Sequence, residues 1–231
     1  MPDITIEGPD GSFGAYLAIP AKTPAPGLVV AQEIFGVNQV MRDVCDWLAG
    51  EGFVAVCPDL FWRIEPGIQL TDKTEAEWAR AFELFGLFDV DKGIEDLKAT
   101  LAHLRGRAEC TGKVGSIGYC LGGKLAFLMA TRSDADCNVS YYGVGLDELL
   151  GEADNITKPL MLHIASEDQF VPPEAQAAIK ARLAGHPQVV IHVHEGRNHA
   201  FARPGGEHYH KEAADFANGC SLAHLKEYLT A

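Results

Sequence analysis

No stretch of this 231-residue chain is apolar for long enough to cross a bilayer, and the N-terminal "MPDITIEGPDGSFGAY" has no basic segment leading into an apolar run. Those absences lead to the expectation of a cytoplasmic protein. Positive charge is scarce: 19 Lys and Arg stand against 32 Asp and Glu, a formal net charge of −13. That balance argues against nucleic acid and anionic membranes as partners, but not against small anions, which respond to local charge. The six cysteines (Cys45, Cys57, Cys110, Cys120, Cys137 and Cys220) form no C-x-x-C pair, so reduced thiols are expected rather than disulfides. There is no H-E-x-x-H and no Cys/His ligand spacing, although His192 and His194 alternate in one segment and His208 and His210 in another. Neither a metal nor a cofactor is called for. Repeats, linkers and composition breaks are missing as well, so one domain over 1–231 is expected.

What is present is an alternation of buried strands and amphipathic helices. "AYLAIP" (15–20), "GLVVAQEIF" (27–35) and "FVAVCPDL" (53–60) read as strands, with a helix capped by Asn38 between the last two. An irregular stretch over 61–73 leads to a short helix near 74–86. Asp89 then opens a longer helix with Ile94, Leu97, Leu101 and Leu104 on one face and Gly106 after it. Strands follow at 113–119, 137–142, 159–165 and 189–195, with helices from about 122, over 172–184 and from about 209. This order predicts an α/β protein with a mainly parallel sheet covered on both faces, its ligand site beyond the carboxyl ends of the strands.

Three residues at those strand ends form a chemical set. In "GYCLG" (118–122) Gly118 and Gly122 flank Cys120 at a strand-to-helix turn, where a nucleophile elbow requires small neighbours. The helix that follows aims its N-terminal N–H groups at Cys120, surroundings that favour a thiolate. Asp168 follows the strand "PLMLHIAS", and His199 follows "VVIHVHEG". The order nucleophile, acid, histidine is that of α/β-hydrolases. In this reading His199 accepts the thiol proton and returns it to the leaving group, while Asp168 fixes its tautomer.

With these motifs in place the chain resembles the dienelactone hydrolases (carboxymethylenebutenolidases), a family with the α/β-hydrolase fold, from about residue 10 to 229. The resemblance is carried by "VVAQEIFGVN", "AVCPDL", "VGSIGYCLGGKLAFL", "YYGVGL", "EDQFVP" and "NHAFAR", and by cysteine at an elbow that most relatives of this fold fill with serine. It implies hydrolysis of a cyclic enol ester bearing a carboxylate, as in bacterial breakdown of chlorinated aromatics. It implies that Glu33 is hydrogen-bonded to the resting thiol of Cys120, which substrate displaces. The backbone N–H groups of Ile34 and Leu121 form the expected oxyanion hole. By the same resemblance, Tyr142 is expected to line the pocket and Arg203 to hold the substrate carboxylate.

At one point the sequence departs from the family pattern. A second arginine is expected on the short helix, and the aligned residue is Trp78; Arg80, two positions on, points elsewhere. Trp78, Phe82 and Phe85 follow i, i+4, i+7, which suits either core packing or a substrate wall more apolar than usual. The substrate could then be another small ester, lactone or thioester with one carboxylate instead of dienelactone. The other readings are a ligand-binding or thiol-sensing relative without activity, and a cysteine peptidase. The ordered triad argues against the first, and a small closed pocket would argue against the second. The expected partner is a small-molecule substrate; the oligomeric state is not legible, a monomer being the default.

Overall fold

The computed structural model describes residues 4–230. The chain divides into two compact units, Met1–Gly115 and Ser116–Ala231. In the first, β1 (Ile4–Gly8) and β2 (Gly11–Ala18) form a hairpin, β2 runs antiparallel to β4 (Val54–Pro58), and β4 runs parallel to β3 (Ala25–Ala31). The strand order is β1-β2-β4-β3, followed by the start of β5 (Cys110–Tyr119). All seven residues of β3 and all five of β4 are buried, which is why both read as unbroken apolar runs and not as alternating ones. The sequence reading found no strand at 4–8. There Ile6 is buried and its neighbours Thr5 and Glu7 are exposed, the alternation of a strand covered on one face.

Helices α1 (Gln39–Gly50), α2 (Glu75–Leu87) and α3 (Val90–Arg105) belong to this unit. Each begins at a side chain that accepts an otherwise orphaned backbone N–H: Asn38 from Met41, Thr74 from Glu77 and Asp89 from Lys92. The four apolar residues expected inside α3 are buried, and Gly106 is its C-cap.

The second unit orders its strands β5-β6-β7-β8, all parallel, with β6 at Asn138–Tyr141, β7 at Leu160–Ala165 and β8 at Val189–His194. Its helices are α4 (Leu121–Arg132), α5 (Pro173–Leu183) and α6 (Lys211–Leu229), with a 3-10 segment over Asp147–Asn155. Apart from Lys124, α4 is buried from Leu121 to Thr131, so it is apolar on every side. The register pairs Tyr141 with His163 and Ala165 with His194, which brings the carboxyl ends of β6, β7 and β8 to one edge. Among the described residues no helix is long and apolar enough to cross a membrane.

Candidate active site

β5 passes into α4 with a single residue between them, and that residue is Cys120, at φ 58° and ψ −114°. A side chain in this region of backbone space is strained and persists only where the surroundings impose it. Here they do: Cys120 N–H donates to Tyr141 O at 3.1 Å, and Cys120 O accepts Lys124 N–H at 3.1 Å. The helix presses closely on the end of β6. A Cβ added to Gly123 would lie 2.4 Å from Tyr141 O and 2.8 Å from Gly143 Cα. A side chain at Gly123 would therefore collide with backbone. Cys120 itself is 9% exposed.

Asp168 and His199, both 5% exposed, come together as expected. His199 Nδ1 lies 3.0 and 2.9 Å from the two carboxylate oxygens of Asp168. Asp168 is held in turn by Phe170 N–H, which donates to Oδ1 at 2.9 Å. Three further links join the loop after β7 to the loop after β8: Gly196 N–H to Ser166 Oγ at 2.8 Å, Glu167 N–H to Arg197 O at 2.9 Å, and Gln169 N–H to Asn198 Oδ1 at 3.0 Å. The same Asn198 oxygen accepts His199 N–H at 2.7 Å. Asn198 was missed in the sequence, because a loop asparagine carries no sign of which backbone groups it bridges.

Burial alone pushes the His199 pKa down. The charge of Cys120 and the hydrogen bond from Nδ1 to Asp168 outweigh it and raise the value to about 10. The imidazole is therefore disposed to carry a proton at neutral pH. Its Nε2 is buried and makes no hydrogen bond of full geometry among the described residues, although Cys120 still acts on the ring through its charge and a weaker side-chain hydrogen bond.

Tyr142, at φ 38°, packs its ring 5.0 Å from that of His199 and 5.6 Å from that of Phe201. Phe170 meets His199 from another side, edge-on at 4.9 Å, and is itself exposed. It sits inside the quoted "EDQFVP" but drew no assignment. Arg203 is half-buried in the turn that follows His199, its N–H donating to Ala200 O at 2.9 Å. Leu121, fully buried, supplies the first backbone N–H of α4, which has no acceptor within the helix.

A second pair of polar side chains in this unit deserves comparison. His163 Nε2 lies 2.9 Å from Ser221 Oγ. Ser221 is wholly buried in the middle of α6, without the elbow geometry that exposes a nucleophile. No cluster of three or more His, Cys, Asp and Glu among the described residues could hold a metal ion.

The remaining candidates lie in the first unit. Glu33 (2% exposed) and Ile34 (5%) are buried just beyond β3. Trp78 is half-buried; it stacks on Phe82 at 5.5 Å, meets Phe35 edge-on at 5.0 Å and donates Nε1–H to Asp72 O at 3.1 Å. Phe82 and Phe85 are 47% and 36% exposed, so the core-packing reading of this stripe is corrected: α2 buries Ala81 and Leu84 instead. Arg80 pairs with Glu65 and Glu83 at 2.5 and 2.6 Å.

The chain matches the Dienelactone hydrolase family over residues 13–229. A relative from Azospirillum brasilense, named provisionally as a carboxymethylenebutenolidase, is 56% identical over 99% of this chain and 100% of its own length. The carboxymethylenebutenolidase of Pseudomonas putida is 42% identical over 93% of this chain and 92% of its own. A crystal structure from Klebsiella pneumoniae, described provisionally as a dienelactone hydrolase, aligns with a TM-score of 0.86 over 97% of both chains; at 24% identity that likeness speaks for the fold alone.

Proposed function

Because the chain belongs to the dienelactone hydrolase family, we propose that it opens a small carboxylate-bearing lactone or enol ester by nucleophilic attack from Cys120, with His199 and Asp168 completing the machinery. The protein is a carboxylic ester hydrolase of the carboxymethylenebutenolidase type. One observation carries the assignment of residues: His199 is held by Asp168 through Nδ1 while Cys120 raises its pKa.

The chemistry starts from that placement of His199. Cys120 Sγ attacks the ester carbonyl carbon as an anion, and the carbonyl oxygen takes up the charge facing the N-terminal N–H of Leu121. The C–O bond to the enolate breaks, and the leaving oxygen is free to take the proton from His199 Nε2. A thioester remains on Cys120. Water then attacks it with His199, now neutral, as the base; Sγ leaves as thiolate and the proton is back on the imidazole. Asp168 keeps Nδ1 protonated throughout, so only Nε2 exchanges protons with substrate. Arg203 anchors the substrate carboxylate, and Tyr142 packs against the working imidazole. Glu33 as the group that restrains the resting thiol, Ile34 N–H as the second oxyanion donor, and Trp78, Phe82 and Phe85 as an apolar wall are supported by the resemblance of their motifs.

The test compares Cys120→Ala, His199→Ala and the double variant on cis-dienelactone, p-nitrophenyl acetate and a short peptide. Each single variant is expected to lose several orders of magnitude in kcat on the esters, and the double to be little worse, because such groups act as a unit. Additive losses, or turnover surviving either single change, would falsify the assignment; cleavage of the peptide would redirect it to proteolysis.

A further inference from the structure

The first unit contains a cavity of about 410 Å³ that shares no residue with the catalytic set or with the aromatic stripe of α2. Its volume falls within the range of small-molecule sites. Tyr16 of β2, Val37 and Arg42 at the start of α1, Asp59 just after β4, and Gly67 and Ile68 of the irregular stretch contribute to its wall.

Arg42 is the unusual member. Arg63, Arg80, Arg107, Arg132 and Arg182 each pair with at least one carboxylate. In a chain with a net charge of −13 such partners are abundant. Arg42 has none among the described residues: Nε donates to Val37 O at a long 3.4 Å, and the guanidinium lies 5.5 Å from the centroid of the Tyr16 ring. Tyr16 is fixed beneath it by its hydroxyl, which donates to Asp46 Oδ1 at 2.8 Å. Among the described residues the carboxylate in the wall is Asp59, which is turned to other donors, accepting Phe61 N–H at 3.1 Å and Gly67 N–H at 2.7 Å. Arg42 therefore presents its two terminal nitrogens, seated on an aromatic face, beside apolar walls formed by Ala15, Val37 and Ile68.

We propose that this cavity binds a small organic carboxylate with an apolar body, anchored by Arg42. A planar guanidinium matches a carboxylate through two parallel hydrogen bonds, and its seat on Tyr16 preserves that orientation. The buried Asp59 disfavours a dianion, so a monocarboxylate suits the site better than a phosphate. The site is independent of the catalytic reading, since none of its residues takes part in ester hydrolysis.

Benzoate is the probe, with benzamide as its uncharged counterpart. Amide chemical shifts in a ¹H–¹⁵N spectrum of the full chain are followed during titration of wild type, Arg42→Gln, Val37→Trp and Arg203→Ala. Benzoate is expected to move the resonances of Tyr16, Gly67 and Gln69, and benzamide to bind at least tenfold more weakly. Arg42→Gln should weaken benzoate tenfold to a hundredfold. Val37→Trp, which fills the cavity and leaves the arginine, should do the same, whereas Arg203→Ala should leave these shifts intact. Esterase activity of Arg42→Gln should match wild type, which also shows that the variant folds. The proposal is overturned if those three resonances stay still at millimolar benzoate, if Arg42→Gln binds as well as wild type, or if Arg203→Ala alone abolishes the shifts.

Discussion

Acidification should weaken this fold through three buried histidines. His163 on β7 lies 3.0 Å (Nδ1) from His194 Nε2 on β8 and 2.9 Å (Nε2) from Ser221 Oγ on α6; Ser221 continues to the Tyr141 hydroxyl at 2.7 Å. Burial, with neighbouring histidines adding to it, holds His163 well below its ordinary pKa and lowers His194 to about 4. Burial likewise lowers His224 to about 4. The sign follows from linkage. Above pH 6.5 these rings are neutral whether the chain is folded or not, so they impose no cost. Between 6.5 and 4 the unfolded chain takes up protons that the folded chain refuses, and stability falls. For His194 and His224 a displacement of this size corresponds to about 3 kcal/mol per ring in full, and to about 2 kcal/mol at pH 5. Solvent screening at the edge of the unit reduces this to about 1 kcal/mol each for His194 and His224. His199 works in the other direction and in another window: its raised pKa contributes stability that is present below 6.5 and is lost as pH rises toward 10. The assay is urea unfolding at pH 7.5 and 5.0 for wild type, His194→Gln, His224→Gln and the double variant. The difference between the two pH values should shrink by about 1 kcal/mol for each single change and about 2 for the double. Identical differences in all four proteins would mean that these rings protonate as freely in the folded state as in the unfolded one.

Three further outcomes are expected. Gly123→Ala places a Cβ against Tyr141 O, where neither backbone can yield cheaply; thermal unfolding should show about 1–3 kcal/mol of lost stability, and an unchanged Tm would mean that α4 and β6 are less closely opposed. Asn198→Ala removes the acceptor shared by Gln169 N–H and His199 N–H; kcat should fall about tenfold with KM nearly unchanged, and a loss of stability at constant kcat would reduce Asn198 to scaffolding. Arg203→Ala should raise KM for anionic esters about tenfold to a hundredfold and spare neutral ones, as expected for one charged hydrogen-bonded pair; equal losses on both classes would remove Arg203 as the anchor.

The sequence was informative where one residue type answers one local demand. Asn38 and Asp89 announce helix starts because an orphaned N–H requires such an acceptor, and both cap as read. Buried strands declare themselves by unbroken apolar runs, whereas β1, too short and alternating, did not. Asp168 and His199 could be paired from their order after successive strands, since parallel strands deliver their carboxyl ends to one edge. Periodicity left α2 open between core packing and a substrate wall: the helix buries Ala81 and Leu84 and leaves Phe82 and Phe85 exposed, a rotation that the 78, 82, 85 spacing alone does not fix. The His163–His194–Ser221 network depends on register between strands and on the rotation of α6, neither of which any single segment encodes.

Backbone strain shows how the site is held. Among the described residues the non-glycine positions with positive φ are Cys120, Tyr142 and Ala200, at 58°, 38° and 60°. Cys120 and Tyr142 directly follow β5 and β6 and Ala200 lies in the loop after β8, and each is either a proposed working group or adjoins one: the proposed nucleophile, the ring packed on His199, and the residue following His199. Such conformations cost about 1–3 kcal/mol apiece and relax unless the surroundings forbid it. The restraints are mostly backbone hydrogen bonds: Cys120 N–H to Tyr141 O, Tyr142 N–H to His163 O at 2.8 Å, and Arg203 N–H to Ala200 O. Bonds of this kind depend on strand register and not on side-chain identity. The same strained edge can therefore present a different nucleophile or anchor without losing its shape, and a cysteine can stand where most α/β-hydrolases carry a serine.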